Sequence, residues 1–241
     1  MRRLIILGLL ANGVYAGEVK VAVASNFVAP LNALAADFKA ASGHSLQISN
    51  GATGKLFAQI SNGAPFEVLL AADDETPTQL VEQQLAAKDT QFTYATGRLV
   101  LWSAAGNTPN EQTLKQSQFS KLAIANPKVA PYGRAAMEVF AAQGLSAALS
   151  PKLVYGENIA QTQQFVASGN AQYGLIAASL VMFDGKFKSG KGWLVPAQLH
   201  QPIKQDAVLL KAGQNNAAAT AFLQYLKSPA AKKIMVQYGY Q

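Results

Sequence analysis

The stretch Val19-Lys20-Val21-Ala22-Val23-Ala24, running on into Ser25-Asn26-Phe27, decides the fold. Its first six residues are a short β-rich run. Directly after it Leu31, Leu34, Phe38 and Ala41 share one helical face, with Pro30 in the first turn and Gly43 at the stop. Working outward, Leu46–Ser49 reads as a second strand and Lys55–Ser61 as a second helix. Glu67–Ala72 is a third strand, and Pro77–Gln84 a third helix behind Asp73 and Asp74 at cap positions. This βαβαβα order predicts a parallel sheet with helices on both faces.

The alternation continues to the end of the chain. Leu99–Ser103, Leu122–Ala125, Lys152–Tyr155, Tyr173–Ala177, Trp193–Val195 and Gln205–Leu210 read as strands. Gly133–Gln143, Ala160–Ala167, Ala217–Leu226 and Pro229–Gln237 read as helices. With 241 residues, two α/β lobes of roughly 100 residues each fit the usual domain size. Periodicity alone leaves open whether the late strand and terminal helices return to the first lobe.

Composition removes several function classes. There are no cysteines, so disulfides, thiolate nucleophiles, zinc-thiolate sites and iron–sulfur clusters are excluded. The two histidines, His44 and His200, lie far apart in sequence and are expected on the surface. Half of the residues are hydrophobic and 14% charged, which fits a globular core rather than disorder. The formal charge is +7, but the basic residues are scattered and no helix carries a basic stripe, so no nucleic acid partner is expected. A modest positive field still steers small anions toward the protein.

The N-terminus is set apart from the fold. Arg2-Arg3, the apolar run Leu4–Leu10 and the small-residue ending Val14-Tyr15-Ala16 form a secretory signal over residues 1–16. Cleavage after Ala16 leaves 18 basic against 13 acidic residues, a charge of +5. The address is then the periplasm of a Gram-negative cell. No stretch reaches about 20 apolar residues, so no membrane anchor is expected.

Four predicted strand ends pass into helices through small or polar residues: Ala24-Ser25-Asn26, Asn50–Lys55, Pro131-Tyr132-Gly133 and Gly156-Glu157-Asn158-Ile159. In open α/β sheets ligands bind at the carboxyl ends of strands, where the first turns of helices offer unpaired N–H groups and partial positive charge. Each corner alone also fits an ordinary role. Ser25 and Asn26, or Thr53, suit helix caps; Tyr132 suits an exposed turn; Ile159 suits a core. The constellation says more than any member.

Competing chemistries find little support. Gly51-Ala52-Thr53-Gly54-Lys55-Leu56 has two residues between its glycines where a nucleotide phosphate loop needs four, and Leu56 stands where that loop needs a hydroxyl. Asp73-Asp74-Glu75 is the only acidic cluster and suits a helix start. No G-x-S-x-G occurs, and no base is recognisable beside a serine. The chain is therefore expected not to be an enzyme.

The motifs in order are Val21–Phe27, Gly51–Leu56, Asn62–Val68, Ala72-Asp73-Asp74, Ala125-Asn126-Pro127, Ala130–Gly133, Gly156–Ile159, Tyr225–Ser228 and Tyr238-Gly239-Tyr240. In order and spacing they resemble the molybdate-binding proteins of bacterial ABC importers along essentially the whole chain after residue 16. The resemblance implies a two-lobed periplasmic-binding-protein fold. Each lobe would be a mostly parallel sheet with flanking helices, and the ligand cleft would lie between them. It implies one lobe from residues 17–96 plus 202–241 and the other from 97–201. By position, Ser25 and Asn26 would supply hydroxyl, amide or backbone donors, Thr53 its hydroxyl and backbone, and Tyr132 and Ile159 their N–H groups. Ala177 stands where some relatives use a tyrosine hydroxyl.

The ligand implied is molybdate, with tungstate beside it, with no cofactor and no direct cation ligands. The nominated residues are rich in donors and include no carboxylate, which suits a fully deprotonated oxyanion. Monohydrogen phosphate has a proton to donate and would leave it unpaired in such a pocket. The expected partners are the membrane permease and ATPase of an ABC importer, with the protein itself a monomer. The alternatives are the same fold binding another tetrahedral oxyanion such as sulfate, an exported hydrolase, or a ligand-sensing regulatory domain.

Overall fold

A computed structural model describes residues 16–106 and 108–241. The secretory signal expected over residues 1–16 thus lies, except for Ala16, outside the described residues. The first half builds β1 (Glu18–Ala24), α1 (Val28–Ser42), β2 (Ser45–Gly51), α2 (Thr53–Ser61), β3 (Val68–Leu70), α3 (Glu75–Glu82) and β4 (Phe92–Gly97). The chain continues through β5 (Leu99–Ser103), α4 (Glu111–Gln116), β6 (Leu122–Ala125), α5 (Pro131–Ala142), α6 (Ser146–Leu149), β7 (Leu153–Gly156), α7 (Ile159–Ala167) and β8 (Tyr173–Ala177). Next come α8 (Ala178–Val181), β9 (Met182–Phe183), β10 (Lys186–Phe187) and β11 (Lys191–Leu194). The end is β12 (Ile203–Leu209), α9 (Ala217–Leu226) and α10 (Pro229–Gln237).

Two five-stranded sheets result. The first has the order β2-β1-β3-β12-β4 and the second β11-β5-β8-β6-β7. In the first, β1 runs parallel to β2 and β3, while β12 is antiparallel to both β3 and β4. In the second, β6 runs parallel to β7 and β8, while β5 is antiparallel to both β8 and β11. Each sheet therefore has one reversed strand. These are the strands that follow the two crossings: the chain leaves the first sheet at Gly97 and enters the second as β5, then leaves it after Leu194 and returns as β12.

Burial explains why β1 is apolar on both sides. Val19, Val21 and Val23 pack with Leu31, Leu34 and Phe38 of α1 and with Phe222 and Leu226 of α9. Ala22, on the other face, joins Leu56, Ile60, Leu69 and Leu80. A strand covered by helices on both faces shows no polar alternation. α1 stops where Gly43 takes a left-handed φ of 77° and returns its N–H to the Lys39 carbonyl. The second sheet has its own core around Trp102, Ile124 and Phe140. Ala24, Ala52 and Ala72, at the strand ends of the first sheet, pack into that second core. The two sheets thus meet at these ends.

Several short elements carry no readable sequence pattern, β4 and α4 among them. β4 pairs only with β12, and the register slips so that Tyr94 is left opposite no partner, which breaks the period of two. α4 has six residues, too few for a periodic face; its signal is a capping box between Asn110 and Thr113. His44 departs from a purely solvated surface residue, because its Nδ1 accepts the Gly17 N–H at 2.9 Å. Among the described residues no helix is long and apolar enough to cross a membrane.

Candidate functional site

The four corners converge. Ser25, Asn26, Thr53, Tyr132 and Ile159 are all buried, and all five line one small cavity with Ala24, Gly51, Ala52, Ala72, Ala130 and Pro131. Two corners follow β1 and β2 of the first sheet, and two follow β6 and β7 of the second. The cavity therefore lies at the carboxyl ends of parallel strands from both sheets, where such sheets bind ligands. The cavity is small, with room for one small ion or a water and not for an organic metabolite.

The helix starts are left open toward this void. Neither Ala52 before α2 nor Ala130 before α5 offers a capping side chain. Pro131 occupies the first position of α5 and has no N–H, so the first amide of that helix is Tyr132. Gly133 and Arg134 both donate to the Ala130 carbonyl, whereas the Tyr132 N–H bonds to no described carbonyl. At α7 the Asn158 side chain caps the Gln161 N–H, and the Ile159 N–H is left over. The first-turn N–H groups of Thr53, Tyr132 and Ile159 are thus unpaired donors on a shared wall. Three helix N-termini add partial positive charge there.

Side chains refine the donor set. Thr53 Oγ1 accepts the Ala72 N–H at 3.2 Å, which leaves its hydroxyl proton free to donate. Ser25 Oγ bonds to no described residue. Asn26 is different: its amide nitrogen donates to Gln205 Oε1 at 2.7 Å and to Tyr240 Oη at 2.8 Å. Both amide protons are engaged, so the amide donor expected at the first corner belongs to the scaffold, and that corner offers the Ser25 hydroxyl and backbone groups. The Asn26 carbonyl in turn accepts from Ser179 Oγ at 2.8 Å and Tyr240 Oη at 3.1 Å. No local pattern assigns Gln205, Ser179 or Tyr240 to this network; the closing motif Tyr238-Gly239-Tyr240 is its one trace in the sequence.

Charge stays outside the cavity. No acidic or basic side chain is among its lining residues. Lys55 in α2 and Glu157 just before α7 pair at 2.8 Å, both well exposed. That pairing, chiefly the hydrogen bond from Lys55, holds the Glu157 carboxyl below its ordinary value of 4.5. On another side Arg134 of α5 meets Asp73 at 2.8 Å. Asp73 also caps α3 by accepting the Thr76 N–H at 3.1 Å, so the helix-start reading of the acidic cluster describes only part of its work.

The chain matches the family model described as bacterial extracellular solute-binding protein over residues 19–241. It is 51% identical over 235 residues to a molybdate-binding protein of Azotobacter vinelandii, covering 97% of this chain and 93% of that one. It is 46% identical over 226 residues to a molybdate-binding protein of Rhodobacter capsulatus, covering 93% and 88%. Among solved structures, the periplasmic molybdate-binding protein of Azotobacter vinelandii superposes with a TM-score of 0.89 at 36% identity, covering 92% of this chain and 98% of that one.

Proposed function

The chain belongs to the bacterial extracellular solute-binding proteins, and from that premise we propose that it captures molybdate, and tungstate with it, in the periplasm for delivery to an ABC importer. The observation that carries this reading is a cavity the size of one small ion, walled by hydrogen-bond donors from both sheets and by no carboxylate. A fully deprotonated tetrahedral dianion only accepts hydrogen bonds. It matches the free N–H groups of Thr53, Tyr132 and Ile159 and the hydroxyls of Ser25 and Thr53. Charge-assisted bonds of this kind contribute about 1.5–3 kcal/mol each before desolvation. A bound phosphate carrying a proton meets no carboxylate acceptor there.

The same lining speaks for binding over catalysis, since a serine or threonine nucleophile needs a base and none stands in the cavity wall. Lobes formed by residues 17–96 plus 202–241 and by 97–201 accord with the membership of the two sheets. They would close on the anion as a monomer, and the closed form would dock on the permease and its ATPase. Export would use the signal over residues 1–16. A mature protein beginning at Gly17, read by mass spectrometry of the periplasmic fraction, is the expected result; retention of Arg2 and Arg3 would overturn it.

The test of the ligand is thermal melting of the mature protein with molybdate, tungstate, sulfate, phosphate and chromate. A ligand at about 100 times its dissociation constant adds about 2.7 kcal/mol, and a protein of this size gains roughly 2–4 °C per kcal/mol. Shifts with molybdate and tungstate but not with sulfate are expected. A shift with sulfate alone would keep the fold and change the substrate.

A further inference from the structure

Among the ion pairs of the described residues, Arg134 with Asp73 is the one whose carboxylate is buried. The two residues come from different sheets. Asp73 follows β3 of the first, and Arg134 stands in the first turn of α5, which follows β6 of the second. Arg134 Nη2 donates to Asp73 Oδ2 at 2.8 Å, and the Asp73 side chain is only 9% exposed. The other oxygen, Oδ1, accepts the Thr76 N–H at 3.1 Å. The carboxylate is thus fixed by its own sheet's connection to α3, and the arginine reaches it from the other side.

The pair adjoins the wall of the anion site. Ala72, one residue before Asp73, and Tyr132, two residues before Arg134, both line the small cavity. One helical turn further along α5, Glu138 accepts the Gln201 N–H at 2.7 Å, at the crossing back to the first sheet. α5 is therefore held at two points. The contact at Glu138 lies beside a crossing and survives separation of the sheets, whereas the contact at Arg134 needs the sheets together. A charge-assisted bond to a fixed, shielded carboxylate is one of the stronger side-chain contacts. The exposed pair of Lys55 and Glu157, which also joins the two sheets' helices, is weak by comparison.

We propose that Arg134 is a positioning residue that clasps the closed cleft. Its bond to Asp73 forms as the lobes shut, sets the first turn of α5 so that the Tyr132 N–H meets the anion, and slows release. Arg134 does this without touching the ligand, since it is not among the residues lining the cavity. The inference rests on the oxyanion reading of the site.

The experiment is stopped-flow and calorimetric binding of molybdate to the wild-type protein, Asp73→Asn, Arg134→Gln and the double variant, with thermal melting of each without ligand. Asparagine caps a helix as well as aspartate does, so Asp73→Asn keeps an acceptor for Thr76 and loses only the charge. Each single variant is expected to bind about tenfold more weakly, through a faster off-rate with the on-rate unchanged. The double variant is expected to be no weaker than the singles, because one bond is lost in all three. Arg134→Lys, which keeps the charge without the guanidinium fork, recovers only part of the affinity. Melting without ligand is expected to move by less than about 2 °C.

An unchanged off-rate would overturn the inference. So would a fall in unliganded melting that accounts for the whole effect, which would make the pair a support of the resting fold. A loss confined to the on-rate and erased by salt would also overturn it, making Arg134 a steering charge instead. Failure of the wild-type protein itself to bind molybdate would remove the ligand assignment, and the inference with it, before any variant is compared.

Discussion

The Gly54 N–H donates to the Val129 carbonyl at 3.0 Å, joining the first turn of α2 to the segment that leads into α5. Those two elements come from different sheets, and both present donors to the same cavity. The contact needs a residue without a side chain. A Cβ on Gly54 would lie 3.1 Å from Val129 Cα and 3.2 Å from its oxygen, too close for either to give without moving the backbone. Gly54 thus permits the approach that shuts the cavity.

Gly54→Ala is accordingly expected to weaken molybdate binding about tenfold or more while leaving the melting temperature of the unliganded protein nearly unchanged, since its φ is ordinary and the alanine suits a helix. Titration calorimetry alongside thermal melting separates the two effects. Unchanged affinity would mean that the lobes close without this contact.

Thr53→Val removes a hydroxyl that accepts from Ala72 and donates into the cavity. Loss of one charge-assisted bond predicts a fall in affinity of roughly 10- to 100-fold. Thr53→Ser keeps the hydroxyl and is expected to stay within a few-fold of wild type. Equal losses in both variants would point to packing of the methyl group instead.

Asn26→Ala leaves Gln205 Oε1 and the Tyr240 hydroxyl without their shared donor. Unsatisfied buried groups cost about 1–3 kcal/mol, so the unliganded protein is expected to melt several degrees lower, at roughly 2–4 °C per kcal/mol. A drop in affinity with no change in unliganded melting would return Asn26 to the role of a direct ligand donor.

The tyrosines set an alkaline limit. Burial, the largest cause, pushes the Tyr240 phenol from 10 up to about 12, and Tyr94 and Tyr132 are raised well above 10 by burial as well. A pKa raised in the folded state gives stability that is full below the unfolded value of 10 and lost as pH rises through the folded value. Melting temperature is expected to fall between pH 10 and about 12. Phenolate absorbance should rise together with unfolding. Ionisation of every tyrosine of the mature protein near pH 10 with the fold intact would contradict the buried network.

At the acid end, Glu157 is held below 4.5 by Lys55, which joins α2 to the segment before α7. A depressed carboxylate favours the paired state above its ordinary pKa and gives up that contribution as pH falls through the depressed one. Because both side chains are well exposed, Lys55→Ala is expected to change affinity by less than about threefold at neutral pH. A much larger loss, read by calorimetry at two salt concentrations, would make the pair a true latch.

Much of this architecture was legible one segment at a time. β8, α9 and α10 fall where the residue pattern predicts them, and the four strand-to-helix corners are visible as short runs of small and polar residues. Such features depend on neighbours within a turn or a strand, which is the range over which sequence periodicity and capping preferences act. β4 escaped because a register slip and an edge position erased its alternation. The Asn26 amide was legible as a donor but not as one already engaged, since its partners lie 179 and 214 residues away.

The sequence by itself determined the order of strands and helices and the open, donor-rich helix starts of the four corners, because both follow from local side-chain size, polarity and spacing. Only the tertiary structure decided which donors remain free, which glycine lets the sheets meet, and which partners the Asn26 amide takes. Those outcomes depend on how two separately built sheets approach through the crossings at Gly97 and Ile203, and on pairings such as Arg134 with Asp73 that no local pattern encodes.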